Sequence, residues 1–126
     1  MVRRAFISFD YDKDARLKDL LVGQSKDPDS PFEVHDWSIK VASSTWREEA
    51  RSRIRASGMV IVLCGRYTHL ATGMSIELSI AQEEHAPYFL LTGYQTGSRR
   101  PTTARPTDKL YEWTWPNLKK LVGGAR

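Results

Sequence analysis

Three short apolar runs constrain this chain more than anything else in it. Ala5 to Phe9 is broken only by Ser8, while Met59 to Cys64 and Tyr88 to Leu91 are unbroken. A strand buried on both faces reads as a continuous apolar run, whereas a strand with one wet face alternates. The three runs therefore predict three central strands of a parallel sheet covered on both sides. A fourth candidate, Phe32 to Trp37, alternates, with Phe32, Val34 and Asp36 on one side and Glu33, His35 and Trp37 on the other. It belongs at an edge.

Between these strands the apolar period becomes helical. Asp12 or Asp14 is placed to cap a helix carrying Leu17, Leu20 and Leu21, with Gly23 near its end. Thr45 and Glu48 have the capping-box spacing, and Trp46, Ala50 and Ile54 behind them form a narrow apolar stripe up to Ser57 and Gly58. A third helix is predicted from Met74 to His85, stopping before Pro87, and a last one after Thr114, carrying Trp115, Leu118, Leu121 and Val122. Strand and helix alternate in the order expected of an α/β, three-layer, flavodoxin-like doubly wound parallel sheet with strand order 2-1-3-4. Residues 94 to 108 are polar with two prolines and read as one long surface loop, replacing or hiding a short fifth strand.

The 126 residues and 40% apolar content fit a single domain, 1–126, whose core needs no metal or disulfide. One cysteine, Cys64, cannot form an intrachain disulfide, which points to a reducing, cytoplasmic setting. No apolar run approaches the roughly 18 residues of a membrane span, and Met1 to Arg4 lead into a strand instead of a signal-peptide core. Neither a membrane nor a secretory role is expected. The net charge of +4 comes from the C-terminal quarter: residues 1 to 94 hold 12 basic and 13 acidic side chains, residues 95 to 126 seven basic and two acidic. A solvated basic loop accounts for this better than a nucleic-acid surface, which would spread a basic face or carry a recognisable binding module.

Ligands of such sheets bind beyond the carboxyl ends of the strands, so the informative segments are Asp10 to Asp14, Asp36 to Thr45, Gly65 to Glu77 and Thr92 onward. Several sites are absent there. No P-loop or dinucleotide glycine fingerprint occurs. Asp10, Asp12 and Asp14 imitate an EF-hand, but its sixth position is Ala15 and its twelfth Leu21. A receiver domain would need an aspartate where Cys64 or Gly65 stands. His35, His69 and His85 lie on separate segments without zinc spacing, so no metal is expected. Cys64 reads as an inert small apolar side chain at the end of a buried strand.

Glu77 shares its helix face with Met74, Ile80 and Ala81, an unusual setting for a carboxylate. Its place near the helix start favours the ionised form, either as a reactive group or as a cap for backbone amides together with Ser75 or Thr72. Glu84 lies two turns further along, away from the ligand end. Phe9, Asp10 and Tyr11 after the first strand, and Asp36, Trp37 and Ser38 after the second, set an aromatic ring beside a polar group. That combination suits a ring-bearing sugar as well as it suits ordinary packing and loop caps. Trp46 is placed to close the same pocket.

These segments carry a resemblance. F-I-S-F-D-Y-D-K-D (6 to 14), D-W-S-I-K (36 to 40), V-I-V-L-C-G-R-Y-T-H-L-A-T-G-M-S-I-E-L-S-I-A-Q-E-E (60 to 84) and W-T-W-P-N-L-K-K-L (113 to 121) resemble the small TIR-like family that includes the TIR-like component of the Thoeris anti-phage defence system. The resemblance covers nearly the whole chain. It implies the flavodoxin-like TIR fold, a prokaryotic cytoplasmic setting and NAD as substrate, not as a held cofactor. The essential glutamate of the helix after the third strand matches Glu77; for the substrate contacts the expectation is the residues of the strand-end segments above, Phe9, Asp10, Asp36, Trp37, Ser38, Trp46 and Thr72. Many NAD-cleaving relatives carry an aromatic residue four positions before the glutamate, where this chain has Gly73.

The implied chemistry needs little machinery. Nicotinamide leaves a cationic pyridinium as a neutral molecule, so one carboxylate facing the ribose suffices to stabilise an oxocarbenium-like transition state. Transfer to water gives ADP-ribose; transfer to its own adenine or another acceptor gives a cyclic or conjugated signal for a separate effector. Self-association is expected of such domains. The competing reading is a non-catalytic interaction module in which Glu77 is only a cap. A flavin-binding relative is a third reading, weakened by the missing phosphate loop.

Overall fold

The computed structural model describes residues 2–40 and 44–124. In chain order the elements are β1 (Arg3–Ser8), α1 (Ala15–Ser25), β2 (Phe32–Trp37), α2 (Trp46–Ala56), β3 (Met59–Cys64), a 3-10 turn (Thr68–Leu70), α3 (Thr72–Glu83), β4 (Tyr88–Thr92), β5 (Leu110–Tyr111) and α4 (Trp115–Val122). All the strands pair in parallel in one sheet of order β2-β1-β3-β4-β5. This is the flavodoxin-like arrangement, with a fifth strand completing the predicted four.

Side-chain alternation explains why the central strands are apolar throughout. On one face Ala5, Ile7, Ile61, Leu63, Phe89 and Leu91 pack against Leu17 and Leu21 of α1 and Leu118, Leu121 and Val122 of α4. On the other, Phe6, Val60, Val62 and Leu90 pack against Trp46, Ala50 and Ile54 of α2 and Met74, Leu78, Ile80 and Ala81 of α3. Both faces are dry, so neither parity tolerates charge. Ser8, the one polar interruption, sits on the α2/α3 face at the end of β1, still fully buried.

Several local expectations shift. Asp14 stands at the N-cap of α1 but makes no side-chain cap bond, and the helix runs through Gly23 to Ser25. The α3 helix begins at Thr72, two residues before the predicted Met74, and is followed by His85 in the left-handed region, φ 54°. The last helix is capped as expected, Thr114 Oγ1 accepting from the Asn117 amide at 3.2 Å. The edge strand β2 carries a bulge: Ala5 pairs with Val34 and Phe6 with Asp36, so His35 is the extra residue. The long polar segment after β4 is tied down along α3. Thr103 Oγ1 donates to the Ser75 carbonyl at 2.6 Å, and the Gln82 amide donates to the Thr103 carbonyl at 3.0 Å. It then delivers the two-residue β5. Among the described residues no helix is long and apolar enough to cross a membrane.

Candidate functional site

The site forms where β1 and β2 end side by side. Ile7 lies opposite Trp37, so the next residues, Ser8 and Ser38, are neighbours at the carboxyl edge of the sheet. Ser38 is locked there by its amide, which donates to the Ile7 carbonyl at 2.9 Å, and by its Oγ, which accepts from the Phe9 amide at 3.1 Å. Glu77, in the second turn of α3, reaches both hydroxyls. Ser8 Oγ donates to Glu77 Oε1 at 2.7 Å and Ser38 Oγ donates to the same oxygen at 2.6 Å.

This differs from the expected cap. Glu77 makes no bond to the start of its own helix; Ser75 instead pairs with Thr102, their hydroxyls 2.9 Å apart. Nor does the helix dipole dominate its charge state. With α3 starting at Thr72, Glu77 stands beyond the first turn, where the dipole fades. At 1% exposure, burial raises its carboxyl from 4.5 to about 7, against the opposing pull of the two serine hydroxyls and of Arg53. Both hydroxyls bind Oε1, and Oε2 accepts no hydrogen bond from the described residues.

Glu77 lines a cavity of about 370 Å³. Phe9, Asp10, Ser38, Trp46 and Thr72 line it too, so six of the eight residues singled out in the sequence converge on one space. Asp10 also organises its own turn, Oδ1 accepting from the Asp12 amide at 3.2 Å and its carbonyl from the Asp14 amide at 2.8 Å. Trp46 is 4% exposed, and its indole N–H has no partner among the described residues, which leaves a donor beside the cavity.

Asp36 and Trp37 are elsewhere. Asp36 lies one pleat before Ser38 on the same face, where it meets Arg53 of α2 at 3.4 Å instead of the cavity. Trp37 points to the opposite face, exposed, with Lys18 Nζ 4.8 Å from its ring centre. Residues 41–43 of the segment after β2 lie outside the described residues. Ser8 is the partner that the sequence reading passed over, although a lone hydroxyl at the end of an otherwise apolar central strand was its signal. Tyr11, which follows Asp10 in the first candidate segment, lines the cavity as well, and so do Lys13, Lys40 and Tyr67, to which the sequence assigned no role. Cys64 is fully buried, and burial pushes its thiol far above the ordinary range, as an inert side chain requires.

The family model of the Thoeris protein ThsB, TIR-like domain, matches residues 6–93. The chain belongs to this family. The match runs from β1 into the start of the loop after β4 and so includes Glu77 and both serines that bind it. Membership places the chain in Thoeris anti-phage defence. No curated protein matches it. In this TIR-like domain the position four before the glutamate, Gly73, lies on the cavity wall.

Proposed function

We propose that the chain is an NAD-processing enzyme of Thoeris defence, breaking the bond between nicotinamide and ribose, with Glu77 as the catalytic residue. The observation that carries this is Glu77 itself: a buried carboxyl, fixed by two serine hydroxyls on one oxygen, on the wall of the cavity at the ligand end of the sheet. A carboxyl held near neutrality is costly for the fold and useful for chemistry. Its ionised form stabilises positive charge gathering on the ribose as the C1′–N bond breaks and its electron pair passes to the pyridinium nitrogen. Nicotinamide leaves neutral. An acceptor then bonds to C1′ and gives up its proton, which a carboxylate near neutrality can take and pass to solvent.

Water as acceptor yields ADP-ribose, and a nitrogen of the same adenine yields a cyclic product. Phe9 and Trp46 supply apolar walls, while Asp10, Ser38 and Thr72 supply polar groups for sugar hydroxyls. Delivery of the product to a separate effector, and self-association, belong to the same reading.

The test is chromatography with mass detection after incubating NAD with wild type and Glu77→Gln, with and without lysate from phage-infected cells. Wild type should release nicotinamide with a new ADP-ribose-derived mass, and the variant should lose about 10²-fold or more without a lower melting temperature. No release by wild type under any condition would favour the non-catalytic interaction module.

A further inference from the structure

Beside the Glu77 cavity lies a second chamber of about 310 Å³, lined by Asp12, Lys13, Asp14, Arg66, Tyr67 and Tyr94. Asp12, Lys13 and Tyr67 line both spaces, so the two share a wall. Their chemistry differs. The first holds the Glu77 carboxyl; the second sets two cations and two phenol rings beside the carboxyl groups of Asp12 and Asp14.

Lys13 Nζ rests 5.2 Å from the Tyr67 ring centre and the Arg66 guanidinium 4.6 Å from the Tyr94 ring centre. Neither forms an ion pair among the described residues, whereas Arg51, Arg53 and Arg55 of α2 are each held by a carboxylate. A cation resting on an aromatic face gives up little when a phosphate arrives, because the charge-assisted bond it gains is the stronger one.

Tyr94 and Asp14 meet at the floor of the chamber. Tyr94 donates its hydroxyl to Asp14 Oδ1 at 3.3 Å. Asp14 is 4% exposed, and its other oxygen occupies the space where a Cβ on residue 65 would come within 2.1 Å, so a side chain there would push the carboxyl aside. Burial and the neighbouring Asp10 push the Asp14 carboxyl up from its ordinary value.

We propose that this second chamber binds a nucleoside monophosphate unit, its phosphate held by Lys13 and Arg66 and its base laid against the tyrosine rings. A dinucleotide then spans both chambers, one ring-bearing sugar beside Glu77, the other beside Tyr94, with the anionic linker at the shared Lys13. The span rests on the NAD reading of the Glu77 cavity; nucleotide binding by the chamber itself does not.

The experiment measures AMP, adenosine and inorganic phosphate binding by calorimetry to wild type, Arg66→Ala and Lys13→Ala, and compares turnover of NAD with that of nicotinamide riboside, which lacks the second nucleotide. Arg66 and Lys13 are exposed, so both variants should keep the wild-type melting temperature. AMP should bind wild type more tightly than adenosine or phosphate alone and lose about tenfold in each variant. The ratio of kcat/KM for NAD to that for the riboside should fall by a similar factor. Equal AMP binding by wild type and Arg66→Ala, or no saturable AMP binding, overturns the chamber. Arg66-dependent AMP binding without any NAD cleavage would sink the proposed enzyme and leave the chamber standing. NAD cleavage with an unaltered ratio in Arg66→Ala would overturn the span across both chambers and leave the proposed enzyme standing.

Discussion

Replacing Glu77 with glutamine should alter the dependence of stability on pH more than stability at acid pH. The folded protein holds the Glu77 carboxyl at about 7 against an ordinary value of 4.5. The folded state therefore binds this proton more tightly than the unfolded chain does. The stability so conferred is fully present below 4.5 and is lost as the pH rises through about 7. At 1.36 kcal/mol per unit, the full span is worth about 3 kcal/mol. Glutamine keeps an oxygen for Ser8 and Ser38 but cannot ionise, so the variant escapes the loss. Urea unfolding of both proteins at pH 4, 6 and 8, at fixed ionic strength, isolates the effect, because every other titrating group cancels in the difference. Relative to wild type, the variant should gain about 3 kcal/mol between pH 4 and pH 8. Parallel curves over that range would mean that Glu77 ionises in the folded protein as it does in the unfolded chain, and the argument from burial would fail.

Ser8→Ala removes a donor that favours the ionised glutamate, so the acid limb of NAD turnover should move upward by about one pH unit; an unmoved limb in the pH–rate profile would show that the bond does not tune the carboxyl. Gly65→Ala places a Cβ 2.1 Å from Asp14 Oδ2. The contact forces the buried Asp14 carboxyl to shift, and unfolding by urea should show a loss of about 1–3 kcal/mol. Glu84, gripped by Arg51 and Arg55 at the far end of α3, has its carboxyl held at about 2. Its contribution is present above 4.5 and is lost as the pH falls toward 2. Glu84→Gln should therefore lower the melting temperature at pH 7 but not at pH 2, and NAD turnover should be unaffected.

The layers were legible because both parities of β1, β3 and β4 are buried, which leaves an unmistakable apolar run. The helices were legible from stripes such as Trp46, Ala50 and Ile54. A two-residue strand such as Leu110–Tyr111 carries no periodicity, so β5 stayed hidden behind the polar loop. The cavity was legible through topology, since strand ends assemble it, and this found Phe9, Asp10, Ser38, Trp46, Thr72 and Glu77. Asp36 and Trp37 fall outside the cavity lining, because strand proximity alone does not say which pleat reaches it. The bulge at His35 sets that register, and no residue type announces it. The charge state of Glu77 was misjudged because the helix dipole is visible in sequence spacing, whereas desolvation depends on packing from β1 and β2, which only the fold assembles.

The most direct test follows the Glu77 carboxyl itself. Carbon-13 labelling of the glutamates, with Glu77→Gln to assign the resonance, gives its titration midpoint, and kcat/KM for NAD cleavage is measured over the same pH range. The expected result is a midpoint near 7, with the rate rising on the same midpoint as the carboxyl ionises. A carboxyl that titrates near 4.5, or a cleavage rate indifferent to its ionisation, would contradict Glu77 as the group that does the chemistry.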